Sequence, residues 1–181
     1  MAKRSQGARN KQIGHDAERY YVNVFKQMGF EFCVTARLAS RLYDNAKVDL
    51  VNLPFNLQIK AGQQTGLNPG KELFSMESAI KALFPPNDDI HNRPAFLIHK
   101  KPAGRGNKNV PENEIVYMSY KQYQDFLITI PDLKFTYEKI FKFESTSDFK
   151  HIVGMTFEIF SENIIKKVFL NGSNNNTSST D

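Results

Sequence analysis

The chain has 181 residues, with a single cysteine and no tryptophan. One cysteine, Cys33, excludes an intramolecular disulfide, and such sparing use of cysteine is typical of a reducing compartment. No apolar run approaches the roughly 20 residues needed to span a membrane. The charged N-terminus is not followed by the apolar segment of a secretory signal. We therefore expect a cytoplasmic protein with no membrane partner.

Large apolar side chains and a modest excess of positive charge are what the sequence does contain. Hydrophobic residues make up 40% of the chain, and 15 Phe and 7 Tyr supply volume for a core. This suits one domain with a substantial interior. The formal net charge of +5 is compatible with a polyanionic partner.

Composition divides the chain into four parts. Residues 1–12 carry basic side chains and no acid, which predicts a flexible basic arm that either binds a polyanion or only solubilises the chain. Residues 13–130 are expected to form the core domain. Residues 131–170 are expected to be a C-terminal extension packed on it, and 171–181, rich in Asn, Ser and Thr, to be disordered.

The hydrophobic periodicity predicts an α/β fold, a mixed sheet flanked by helices on both faces. The predicted helices span residues 14–28, 71–84, 120–127 and 157–170. The predicted strands span residues 30–36, 47–51, 55–60, 95–99, 114–118 and 135–143.

The hairpin over residues 47–60 carries polar side chains where a sheet prefers apolar ones. Because Pro54 excludes a two-residue turn with positive φ, a four-residue loop over residues 52–55 is expected. Antiparallel pairing around that loop sets Asp49 opposite Gln58, about 5 Å apart at Cβ. The pattern alone is compatible with a hairpin that has one solvated face and with a polar functional site.

Several neighbouring groups could support metal-dependent chemistry. Glu18 lies at the edge of the apolar stripe of the first helix. Asp49 and Glu18 are hard donors suited to Mg²⁺, and the Gln58 side chain and the Ile59 backbone carbonyl can supply neutral oxygens. Lys60, diagonal to Asp49, can orient or deprotonate a water or neutralise charge on a phosphate. Phosphodiester hydrolysis needs a metal that activates water and polarises the phosphate, and a cation near the scissile group.

In chain order, these residues resemble the PD-(D/E)XK nuclease superfamily, and within it the archaeal-type Holliday junction resolvases. The matching text is Gly14-x-x-x-Glu18-Arg19, Gly29-Phe30, Thr35-Ala36-Arg37 with Ser40, Val48-Asp49-Leu50 and Gln58-Ile59-Lys60. The match covers residues 12–62, and the order of the predicted elements up to about residue 128 is consistent with it. The resemblance implies a restriction-endonuclease-like sheet.

The resemblance further implies a Mg²⁺-dependent DNA endonuclease that cuts branched DNA such as four-way junctions, with Mn²⁺ able to replace Mg²⁺. Two nicks on a symmetric junction imply a homodimer. Glu18, Asp49 and Gln58, with the Ile59 carbonyl, would form the metal site, and Lys60 would be the catalytic lysine.

Ten residues are expected to contact nucleic acid. The resemblance implies this for Arg37 and Ser40, and the charge of the N-terminal arm, of the polar loop near residue 41 and of the acid-free segment 100–111 suggests it for the others. These others are Arg4, Arg9, Lys11, Arg41, Lys100, Lys101, Arg105 and Lys108.

The sequence departs from the family at Gln58, where the family usually has Glu. The exchange removes a negative charge, so a second metal would bind less readily. Two alternatives stay open: a nuclease of the same fold with another substrate (restriction, repair or RNA processing), and a catalytically silent nucleic-acid-binding module.

Overall fold

The structure is a computed structural model that describes residues 5–62, 66–102, 110–130, 141–142 and 151–170. Arg4, Arg105, Lys108 and the predicted tail 171–181 lie outside the described residues, as does most of the predicted strand 135–143.

Six helices and seven strands make up the described chain. The helices are α1 (Gln6–Gln27), α2 (Ala36–Ala39), α3 (Arg41–Asn45), α4 (Pro69–Leu83), α5 (Tyr120–Thr129) and α6 (Phe157–Ile159), which continues as a π-helix over Phe160–Leu170. The strands are β1 (Val34–Thr35), β2 (Leu50–Val51), β3 (Asn56–Ala61), β4 (Ala95–Lys100), β5 (Glu114–Ser119), β6 (Phe141–Lys142) and β7 (His151–Thr156). Two 3₁₀ turns lie at Asp89–Asn92 and Pro111–Asn113.

The strands form one mixed sheet in the order β1-β2-β3-β4-β5-β7-β6. Among the strands that the structure describes, only β3 and β4 pair in parallel, and α4 connects them, since parallel neighbours need a crossover. The predicted α/β class and mixed sheet are therefore confirmed. Among the described residues, no helix combines the length and apolar character that crossing a membrane requires.

Apolar clusters cover both faces of the sheet. On one face, Phe25 of α1 and Phe160 of the last helix pack with Leu57 of β3. On the other face, Met76 of α4 packs with Leu97 of β4. Helices on both sides bury the polar positions of β3 as well, so the solvated-face interpretation of the hairpin is wrong.

Helix α1 begins at Gln6, so residues 6–12 are helical where a flexible arm was predicted. Ser5 caps the helix, and its side chain accepts a hydrogen bond from the Ala8 N–H at 3.4 Å. Ala8 and the long polar side chains that follow it favour a helix, so the absence of an apolar stripe did not prevent its extension.

Three further details differ from the prediction. The first strand is only Val34–Thr35, because residues 30–33 form a turn closed by the Cys33 N–H and the Phe30 carbonyl at 3.0 Å. The polar loop around Ser40 forms the short helices α2 and α3. Alternation along the strand predicted for residues 47–51 would place Val48 and Leu50 on one face, but Val48 packs in the cluster beneath α4 and Leu50 in the cluster beside α1.

Strand β7 was not predicted, and it pairs with β5 inside the sheet. Phe160, Ile164 and Ile165 of the following helix lie in the core cluster beside α1. The described residues 151–170 of the predicted extension therefore pack on the core and also add a strand to the sheet.

Candidate active site

The hairpin register that the sequence predicts is confirmed. Leu50 of β2 is paired with Leu57 of β3, which places Asp49, just before β2, near Gln58. The loop between the strands spans four residues, 52–55, as expected. Glu18, Lys60 and Arg37 all act electrostatically on the Asp49 carboxylate. The fold thus gathers the polar residues of three separate segments around one side chain.

Asp49 lies just before β2 and still forms hydrogen bonds with β3. Its N–H donates to the Leu57 carbonyl at 2.8 Å, and its Oδ2 accepts a hydrogen bond from the Ile59 N–H at 2.6 Å. The N–H and C=O of one strand residue point to the same side, so the Ile59 carbonyl also faces Asp49. The Ile59 N–H therefore holds Oδ2 in place, and Oδ1 accepts no hydrogen bond from the described residues.

Burial raises the pKa of Asp49 to about 7. The Ile59 N–H opposes this shift, the nearby Glu18 carboxylate adds to it, and the positive charges of Lys60 and Arg37 oppose it. Near neutral pH the carboxylate is therefore divided between its charged and neutral forms. A bound cation would favour the charged form, so metal affinity should rise as pH rises through this range.

Gln58 is 4% exposed, and its Oε1 accepts no hydrogen bond from any described residue. Leaving a buried carbonyl unpaired costs about 1–3 kcal/mol. Asn56, two residues earlier on the same face, also has a buried and unpaired Oδ1, but its Nδ2 donates to the Ile90 carbonyl at 2.9 Å. The Asn56 side chain therefore fixes β3 to the segment before β4, whereas Gln58 is the unpaired amide that adjoins Ile59, the residue bonded to Asp49.

These oxygens fit one hard divalent cation. Mg²⁺ takes one or two carboxylates and neutral oxygens and keeps several waters. Asp49 Oδ1, Gln58 Oε1 and the Ile59 carbonyl provide that donor set. The described part of the chain holds no group of three or more His, Cys, Asp and Glu placed to bind a metal.

Glu18, 5% exposed on α1, is held by Arg37. The Arg37 Nη2 lies 2.7 Å from Glu18 Oε1, and its Nε lies 3.6 Å from Asp44 Oδ1. Arg37 also contacts the His15 ring. Burial raises the pKa of Glu18, and the Arg37 charge opposes that shift. Arg37 is therefore engaged in ion pairs at the site, and its expected contact with DNA stays a prediction.

Lys60 pairs with a residue that the sequence did not indicate. Its Nζ lies 3.1 Å from Glu72 Oε2 in the first turn of α4. Acidic residues are common there because they complement the helix dipole, so nothing in the sequence marked Glu72 as part of a site. The carboxylate holds the ammonium group in one place near Asp49.

The remaining predicted nucleic-acid contacts separate into two groups. Exposed side chains on the described surface are Arg9, Lys11, Arg41 and Lys101, and Ser40 is half-buried. Lys100 is not free, because its Nζ lies 2.5 Å from Glu114 Oε1 and 3.4 Å from the centre of the Tyr20 ring. Lys100 therefore lies at the end of β4 with fixed partners and not in a loop, and its contact with nucleic acid stays a prediction.

The Asp49 pKa predicts how pH affects the metal-free protein. The pKa near 7 in the folded protein exceeds the ordinary value of 3.8, so the folded state binds more protons than the unfolded state. The free energy of unfolding should therefore decrease as the pH rises from about 4 to about 7. Each pH unit is worth about 1.4 kcal/mol at most. Urea unfolding in EDTA across that range measures the slope. Asp49→Asn should remove most of it, and an unchanged slope in that variant would contradict the assignment.

Comparison of the chain with protein-family models, with curated proteins and with solved structures found no match. The function proposed below therefore depends on the chemistry of the site and on the motifs that the sequence carries.

Proposed function

We propose that the protein is a Mg²⁺-dependent DNA endonuclease that hydrolyses phosphodiesters in branched DNA. The observation that carries this proposal is the buried, unpaired Gln58 carbonyl beside an Asp49 whose pKa burial raises to about 7. Both features cost stability in the metal-free protein, and a bound cation would remove both costs. Buried groups with a shifted pKa or an unmet hydrogen bond are common at functional sites.

The order of elements through α5 supports the restriction-endonuclease-like arrangement within the proposal. Helix α1, three antiparallel strands, the crossover α4 and the parallel strand β4 follow one another as the resemblance implies. The candidate residues lie where β2 and β3 meet. Mn²⁺ should be able to replace Mg²⁺.

In the proposed reaction, some residues would bind the metal and Lys60 would act on the phosphate. A bound metal supplies Lewis acidity and a more acidic water. Asp49, Gln58 and the Ile59 carbonyl would hold it, and Glu18 would join them if Arg37 moved away. Lys60, kept in place by Glu72, would stand beside the scissile phosphate and stabilise the charge that develops on it. The half-buried setting strengthens these charge interactions.

A synthetic four-way junction and a linear duplex of matched sequence test the proposal, each incubated with Mg²⁺ or EDTA. We expect paired nicks on the junction in Mg²⁺ only. Lys60→Ala should lose them, whereas Lys26→Ala, at an exposed position in the last turn of α1, should cut normally. Two symmetric nicks also require a homodimer, which sedimentation would detect.

The other outcomes separate the alternatives. Cutting of both substrates would point to a nuclease of the same fold with another role in restriction, repair or RNA processing. Tight DNA binding without cleavage in Mg²⁺ or Mn²⁺ would overturn the proposal of an enzyme. The protein would then be a catalytically silent nucleic-acid-binding module, and Gln58 would mark the position of a lost metal ligand.

A further inference from the structure

Lys47 lies two residues before Asp49, and its ammonium group reaches helix α4. The Lys47 Nζ donates a hydrogen bond to the Ser75 Oγ. Ser75 lies one turn after Glu72, the residue that holds Lys60. Residues three apart on a helix are about 5–6 Å apart at Cβ. Two ammonium groups, one from the segment before β2 and one from β3, are therefore held within one turn of each other on α4.

Lys47 differs from the other half-buried lysines of the described chain because it has no acidic partner. Three described lysines are half-buried: Lys47, Lys60 and Lys100. Lys60 and Lys100 each pair with a glutamate, at 3.1 and 2.5 Å. Among the described residues, Lys47 forms no ion pair, and its ammonium group has only the neutral Ser75 hydroxyl as a partner. A partly desolvated charge without a counter-charge is costly, so an anion from outside would bind there favourably.

The acids around Lys47 are engaged by other cations. Three acids lie near it along the chain or on α4, and either Arg37 or Lys60 acts on each of them: Asp44, Asp49 and Glu72. Arg37 lies 3.6 Å from the Asp44 carboxylate, and both cations act on Asp49. The charge of Lys47 is therefore the one at this side of the site that the described chain does not pair with an acid.

The backbone of Lys47 is in the left-handed region, with φ 63°. Lys47 follows Ala46, the C-cap of α3, and its N–H donates to the Asp44 carbonyl at 3.1 Å, while the Val48 N–H donates to the Tyr43 carbonyl at 3.0 Å. Glycine is preferred at this position after a helix, because a side chain with a Cβ is strained there. The backbone thus gives no reason for a lysine, whereas the reach of its amine to α4 does.

We propose that Lys47 and the Ser75 hydroxyl bind a phosphate of the cut strand next to the scissile phosphate at Lys60, an inference that rests on the proposed function. Ser75 accepts one of the three N–H groups of the ammonium, which leaves two for phosphate oxygens. The Ser75 hydroxyl donates its own proton to no described residue, so the same phosphate can accept it. A second fixed phosphate positions the scissile bond at the metal site without reading bases.

The salt dependence of four-way junction binding in EDTA tests this contact without cleavage. In Lys47→Gly, the slope of the log association constant against the log salt concentration should become shallower by about 0.9, the share of one phosphate contact on duplex DNA. Lys47→Arg keeps the charge and should keep the wild-type slope. Because glycine is unstrained at this backbone position, the urea midpoint of Lys47→Gly should rise. In Mg²⁺, junction cleavage by Lys47→Gly should slow roughly tenfold, because the strand is positioned less firmly.

Two variants are matched controls. Asn52→Gly places a glycine at the other described non-glycine residue with positive φ, also 63°, whose exposed side chain donates to the Phe32 carbonyl and does not reach α4. Lys81→Ala removes an exposed amine from the last turn of α4. Both variants should keep the wild-type salt slope and cleavage rate.

An unchanged salt slope in Lys47→Gly would overturn the phosphate contact, and a lower urea midpoint together with that unchanged slope would show that Lys47 only links α3 to α4. An equally shallow slope in Lys81→Ala would also overturn it, since any surface amine would then have the same effect. If the wild type cuts the junction and Lys47→Gly binds and cuts like it, the phosphate contact fails and the nuclease stands. If the slope depends on Lys47 but the wild type never cuts, the nuclease fails and the phosphate contact stands.

Discussion

Replacing Asp49 by asparagine should reduce junction cleavage by at least about a thousandfold, equivalent to about 4 kcal/mol of transition-state stabilisation. Asparagine keeps an oxygen for the Ile59 N–H, so the hairpin should stay intact, but it removes the negative charge that would hold the cation. DNA affinity in EDTA should remain within about twofold of wild type, because phosphate contacts lie elsewhere on the surface.

Asp44→Asn is the control for Asp49→Asn. Asp44 is an exposed carboxylate that also acts near the site through Arg37, 3.6 Å away. If charge near Arg37 were all that mattered, both variants would lose activity alike. We expect Asp44→Asn to keep cutting within a few-fold of wild type. Normal cutting by Asp49→Asn would mean that the site is wrongly located.

Replacing Gln58 by leucine should stabilise the metal-free protein and abolish metal-dependent activity. Leucine is close in size and removes a buried carbonyl that no described residue satisfies, so the free energy of unfolding in EDTA should rise by about 1–2 kcal/mol. Mg²⁺ should no longer raise that free energy, whereas it should stabilise the wild type through binding. Urea unfolding with and without Mg²⁺ measures both effects.

Asn56→Leu gives the contrast on the same face of β3. Asn56 is 3% exposed, and its Nδ2 bonds the Ile90 carbonyl. Its replacement removes that hydrogen bond, although the Ile90 carbonyl keeps the Arg93 N–H at 3.4 Å and an unpaired Oδ1 is removed as well, so the free energy of unfolding should fall by about 0.5–1.5 kcal/mol. A loss of stability in Gln58→Leu as large as in Asn56→Leu would show that Gln58 is an ordinary structural amide.

The sequence predicted the features that depend on neighbours along the chain. Helix α5 begins after Ser119, as predicted, and the Ser119 side chain accepts a hydrogen bond from the Gln122 N–H. The Leu50–Leu57 pairing followed from Pro54 and the alternation of side chains. These features depend on caps, turns and a period of two residues, which act over a few positions.

The sequence predicted less where the pattern was weak. Strand β7 was missed because Gly154 interrupts a short apolar run that could equally be part of a helix. The helical residues before Gly14 were missed because they lack an apolar stripe, although Ser5 and Ala8 favour a helix without one.

The sequence by itself determined which residues could form a site and brought Asp49 opposite Gln58. Only the tertiary structure decided that Gln58 is buried and unpaired, that Lys60 meets Glu72, and that Arg37 holds Glu18. The reason is physical. Register is set by local geometry, whereas burial and ion pairing depend on how α1, α2 and α4 pack on the sheet, and no short stretch of sequence specifies contacts between elements so far apart along the chain.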